Sequence, residues 1–144
     1  MAIDFPRIDS IKFNRVCILK TFSAGIFGFL LILAGINHFI SPELYLKIMP
    51  PYFPAPLPLV YLSGVFEIVL GMALFYPPRR NLVVWGIIAL LVAVFPANIY
   101  MATQGHLFPE IAPWMLYMRL PLQVLLIFWA WWLKTPFRKP QIQE

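Results

Sequence analysis

The sequence predicts an all-α integral membrane protein, a four-helix bundle with both termini in the cytoplasm and a short interfacial helix in its first outer loop. Three observations predict it. Hydrophobic residues make up 61% of the 144 and charged residues 12%, about half the ~25% charged share of an ordinary soluble domain; the mean hydropathy is +0.79. The apolar residues fall into four blocks, each near the roughly 20 residues that a helix needs to cross a hydrocarbon core about 30 Å thick. The basic residues gather on one side of those blocks.

The blocks run from Thr21 to Ile40, Leu57 to Tyr76, Leu82 to Ala102 and Trp114 to Leu133. None alternates polar with apolar residues, as lipid-exposed strands would. The domain organisation is a basic N-terminal segment (1–20), a membrane domain (21–134) and a basic tail (135–144). Arg7, Lys12, Arg15 and Lys20 precede the first span, Arg79 and Arg80 lie in the second connection, and Lys134, Arg138 and Lys139 follow the last span. The opposite side carries only Lys47, so the positive-inside rule directs both termini to the cytoplasm of a cell-membrane protein. The net charge of +5 then reflects topology and anionic headgroups, not nucleic-acid binding. The first block is too long for a signal-peptide core and ends in Asn37, His38 and Phe39 rather than a small-residue cleavage site, so it is expected to be retained.

The connections differ in kind. Pro77 to Asn81 is tight and joins spans two and three as a hairpin. Ser41, Pro42 and Glu43 form a helix-start pattern, and a helical turn or two is expected to follow in the outer interface. The proline-rich PPYFPAP segment after it enforces extended backbone. This loop reads either as a cap over the outer mouth or as a spacer anchored by Tyr45, Tyr52 and Phe53.

With that topology the polar residues inside the spans share one leaflet. Asn37 and His38 fall in the outer turn of span one, Ser63 and Glu67 in the outer half of span two, Asn98 near the outer end of span three, and Arg119 and Gln123 in the outer half of span four. Ser63 and Glu67 are four apart, as are Arg119 and Gln123, so each pair shares a helix face. A charge in lipid costs about 2.5–3.5 kcal/mol on insertion scales, so Glu67 and Arg119 are expected to face inward and pair. Pro96 and Pro121 free the carbonyls of Val92 and Tyr117 in the same layer. Ala24 with Gly28, Gly64 with Gly71, and Ala89 with Ala93 and Ala97 read as small-residue stripes for close helix packing. His38, Ser63, Glu67, Asn98, Arg119 and Gln123 are thus the candidates for ligand binding or proton relay. A buried bridge that only fixes helix register is the simpler alternative for the charged pair.

Other chemistry finds little support. The single cysteine, Cys17, excludes an internal disulfide or a CxxC pair. Two histidines without HxxE or HExxH spacing argue against a metal site, and without CxxCH against attached haem. Ser63 lacks a GxSxG elbow.

Across residues 21–134 the segments GINHF (35–39), SPELYLKIMPPY (41–52), SGVFEIVLG (63–71), PPRR (77–80), FPANIYMA (95–102) and RLPLQ (119–123) make the chain resemble the DoxX family of small bacterial and archaeal membrane proteins. The resemblance implies a four-helix bundle and, through the subunit that named the family, a tie to quinone-linked redox assemblies. Three functions follow as expectations. The first is an accessory membrane subunit, not a stand-alone enzyme and without an intrinsic cofactor, binding quinone or another small amphiphile at the outer cluster. The second is a non-enzymatic chaperone or assembly factor, and the third a small oligomeric transporter. The expected partners are the lipid bilayer and either other membrane proteins or further copies of the chain, with no nucleic acid.

Overall fold

The computed structural model describes residues 8–134, all-helical with short turns. Helix α1 spans Ile8–Ile40, α2 Pro42–Lys47, α3 Pro56–Ala73, α4 Arg80–Thr103 and α5 Pro113–Trp132, with single 3-10 turns at Pro77–Arg79 and Gly105–Leu107. Four of these helices are long and apolar enough to cross a membrane: Arg15–Ile40 of α1, α3, Pro77–Thr103 and α5. Arg7, Arg138, Lys139 and the rest of the 135–144 tail lie outside the described residues.

The helix boundaries refine the expected ones. Helix α1 begins at Ile8, so it already runs through the described part of the basic segment before residue 21. Helix α3 stops at Ala73, three residues before Tyr76. Leu74, Phe75 and Tyr76 close it with turn hydrogen bonds to Leu70, Met72 and Ala73, and Tyr76 is extended, as the residue before a proline prefers. Ser41 does stand at the N-cap of α2, with Pro42 in the first turn, but its hydroxyl makes no capping bond. Neither Pro96 nor Pro121 interrupts its helix.

Helices α1 and α3 pack antiparallel with their backbones in contact. A Cβ added at Gly28 would stand 2.7 Å from the Gly71 carbonyl oxygen, and one at Gly71 would stand 2.7 Å from that of Gly28. Two turns further along, a Cβ at Gly35 would meet the Gly64 carbonyl at 2.7 Å and one at Gly64 the Gly35 carbonyl at 3.0 Å. In lipid no hydrophobic force draws helices together, so close van der Waals approach of this kind is what binds them.

All four long helices meet at the end that carries the chain termini. There Ala24, Phe27, Leu74, Val83, Val84, Ile87, Ala130 and Leu133 form the main core. Trp129 donates its indole N–H to Ser23 Oγ at 2.7 Å and packs edge-on against Phe27. Lys20 donates to the Lys134 carbonyl at 2.7 Å, while the Lys134 ammonium sits 4.5 Å from the Trp85 ring centroid. At the opposite end a smaller cluster of Met101, Phe108 and Leu116 joins α4 to α5.

The glycine contact can be tested directly. Gly28→Ala should destabilise the protein by about 1–3 kcal/mol, the usual cost of overpacking. Gly25→Ala should stay within about 0.5 kcal/mol, because its Cβ would meet only Phe75 at an ordinary 3.7 Å. Unfolding of the two variants in lipid discs measures the difference; equal stabilities would refute the contact.

Candidate functional site

The half of the molecule away from the chain termini holds a cavity of about 650 Å³ between α3 and α4. On α3 it is lined from Leu59 to Leu70 and on α4 from Gly86 to Asn98. Residues Tyr45, Ile48, Met49 and Phe53 of α2 and the following loop line it too. The loop therefore takes part in the cavity, which favours the cap over the spacer among the two readings of this segment. Tyr45 stacks on His38 with ring centroids 3.7 Å apart and accepts a 2.9 Å hydrogen bond from Asn37 Nδ2.

Five of the six candidate residues line this space: His38, Ser63, Glu67, Asn98 and Arg119. The sixth, Gln123, is 3% exposed and supports the site from behind. It accepts a 2.8 Å hydrogen bond from Asn98 Nδ2 and donates through its own amide to the Leu91 carbonyl. That carbonyl belongs to the residue before Val92, whose own carbonyl Pro96 was expected to free, and the two bonds clasp α4 to α5. Ser63 returns its hydroxyl to the Val60 carbonyl at 2.9 Å, which leaves its oxygen only as an acceptor.

The expected pairing of Glu67 with Arg119 does not form. Glu67 instead lies 3.3 Å through Oε2 from His38 Nδ1. The cause is the close packing of α1 on α3. A Cβ on Gly64 would stand 2.8 Å from the His38 Cβ, which places the imidazole one turn from Glu67. Each Cα–Cβ bond tilts toward its helix N-terminus. In two antiparallel helices His38 therefore leans inward and Glu67 outward, and the side chains converge. Arg119, on α5, reaches the same cavity across α4 with an exposed side chain.

The pair is not fully satisfied. His38 is 7% exposed and its Nδ1 is 3.0 Å from the Ala34 carbonyl. With that nitrogen as donor to the carbonyl, Glu67 Oε2 is buried without a hydrogen-bond partner. A buried carboxylate oxygen in that state costs of order 1–3 kcal/mol or more unless something else reaches it. The arrangement thus offers a ligand a carboxyl group, an imidazole Nε2, the remaining amide groups of Asn98 and the guanidinium of Arg119, all at one end of an apolar space. Among the described residues no three of His, Cys, Asp and Glu come together to hold a metal.

The α4 stripe of Ala89, Ala93 and Ala97 corrects another expectation. These residues line the cavity instead of seating a neighbouring helix. Small residues at helical spacing signal room on that face; whether a helix or a ligand takes the room depends on the tertiary arrangement. Leu70, Tyr45 and the loop residues Ile48 and Met49 are further parts of the site, and nothing in their residue types separates them from ordinary core or interface residues.

No curated protein and no solved structure matches the chain. The family match overturns the resemblance to DoxX, since a different family accounts for the segments from Phe27 onward that carried it. Small glycine, proline and apolar motifs recur wherever short helices pack in lipid, so they carried less family information than their number implied. The chain belongs to the family described as a domain of unknown function, DUF8561, whose model matches residues 27–134, three quarters of its length.

Proposed function

We propose that this is a multi-pass cell-membrane protein, with both termini cytoplasmic, that binds a small amphiphile in the cavity between α3 and α4. It acts as a binding or accessory subunit and not as an enzyme by itself. The observation that carries this reading is an apolar cavity of about 650 Å³ with one polar end, where the buried Glu67 Oε2 lacks a hydrogen-bond partner. A bridge serving only helix register would satisfy its own atoms and leave no space beside them.

In this reading the apolar part of the ligand lies against Ala89, Ala93 and Phe66, and its polar group meets His38, Glu67, Asn98 and Arg119. Arg119 and Asn98 hydrogen-bond a carbonyl or anionic oxygen. Glu67 and His38 can hold or exchange a proton with it, a competence that suits a quinone-type head as well as a simple carboxyl. The four helices form the bundle around this site. Arg15, Lys20, Arg79, Arg80 and Lys134 all stand at the terminus-bearing end, which supports a cytoplasmic location for that end and, with it, an outer-leaflet position for the cavity.

Two measurements test the proposal. In a Cys17→Ser background, a membrane-impermeant thiol reagent applied to intact cells should label Tyr52→Cys, whose native side chain is 71% exposed. Pro78→Cys should react only after the cells are opened, and the reverse pattern would refute the orientation. Native mass spectrometry of gently extracted protein should reveal one retained amphiphile per chain. Ala93→Phe, which fills the cavity, should lose it at least tenfold, whereas the lipid-facing Phe29→Leu should keep it. Retention unchanged in Ala93→Phe would refute the site.

A further inference from the structure

The binding reading above leaves the nature of the apolar part open, and the shape of the cavity narrows it. From Gly86 to Asn98 the α4 wall covers thirteen residues, twelve helical steps or roughly 18 Å at a rise of about 1.5 Å. That is close to half of the ~30 Å hydrocarbon core, the span of a single leaflet. The wall presents Gly86, Ala89, Ala93 and Ala97 in succession, with Leu90 and Val94 beside them.

The space opens sideways between α3 and α4. Leu62 and Phe66 on one lip are 50% and 49% exposed, and Ala89 and Ala93 on the other are exposed as well. All four stand at mid-helix, where the surrounding medium is acyl chain and not water.

The inner end is closed by one contact. A Cβ on Gly86 would stand 2.8 Å from Leu70 Cδ2, so the leucine is seated directly on the glycine. Beneath it lies the main core, against which Leu70 packs and where Val84 and Ile87 are fully buried. The polar end is closed by His38, which is 7% exposed and stacked beneath Tyr45.

We infer that the cavity is a slot for one unbranched alkyl chain, entered sideways from the surrounding leaflet, and that Leu70 resting on Gly86 is the stop that sets the chain length accepted. This inference rests on the binding reading proposed above. The occupant is a single-chain amphiphile of fatty-acid type, with its head at His38, Asn98 and Arg119 and its terminal methyl at Leu70. Acyl chains are the medium that the opening faces, and the length of the slot matches the distance that such a chain covers in one leaflet.

The test is the dependence of affinity on chain length. Saturated fatty acids of increasing length compete with a fluorescent fatty-acid analogue for purified protein in lipid discs. For the native chain, affinity should rise about fourfold per added methylene, the value of burying one CH₂, and then level off where the chain reaches Leu70. In Leu70→Ala the break should move to longer acids by about two methylenes, the reach leucine loses on truncation if the space does not collapse. In Gly86→Ala, which keeps α4 helical and pushes Leu70 into the slot, it should move to shorter acids. A common break in all three proteins, with Ala93→Phe still blocking binding, would overturn the length stop and leave the site standing. Equal binding by branched isoprenoid acids would overturn the straight slot. Absence of saturable binding by any acid, or binding indifferent to Ala93→Phe, would overturn the site and the inference together.

Discussion

Everything that distinguishes this molecule depends on the backbone contact between α1 and α3. Gly28 against Gly71 and Gly35 against Gly64 bring two helices together where any Cβ would collide with a carbonyl. The contact fixes the register of the pair, and the register brings His38 and Glu67 within 3.3 Å. Helix α5 is fastened on the other side, by Trp129 to Ser23 on α1 and by Gln123 to Asn98 and Leu91 on α4. Between these two attachments α3 and α4 are left apart over the halves away from the chain termini, and the separation is the cavity.

The distribution of packing follows from the same geometry. At the terminus-bearing end all four long helices contribute to one core, in which Leu74, Val84, Ile87, Ala130 and Leu133 are completely buried. Away from that end the helices use their small residues differently. The glycines of α1 and α3 face each other, while the alanines of α4 face empty space. A buried carboxyl oxygen without a partner is tolerable where a ligand can approach it and expensive where nothing can. Packing is therefore concentrated at the terminus-bearing end, and the cavity lies in the other half.

Much of the fold was legible from the residues alone. Four apolar blocks specify four helices long and apolar enough to cross a membrane, because length and hydropathy suffice to specify a helix in lipid. Ser41-Pro42 announced a helix that does begin there, and proline 77 stops α3 before the predicted limit through a preference that acts on its predecessor. The candidate residues were legible as a group: the rarity of polar residues in apolar helices singled out all six, and five line one cavity with the sixth behind it. Their pairing was not. Glu67 and Arg119 were matched by charge and depth, yet the partner of Glu67 is decided by which helices touch, and the glycines that decide it look alike on α1, α3 and α4. For the same reason the alanine stripe of α4 was read as a packing surface, and short motifs pointed to a family to which the chain does not belong.

The central claim is that an amphiphile occupies the space that the α1–α3 contact leaves between α3 and α4. Photo-crosslinking in native membranes tests it most directly, using a fatty acid that carries a diazirine along its chain, with the labelled peptides mapped by mass spectrometry. The account predicts label concentrated between residues 59 and 70 of α3 and between 86 and 98 of α4, the stretches that line the cavity. Label spread evenly over outward-facing residues such as Phe22, Phe29 and Leu125, with no excess on those two stretches, would contradict it.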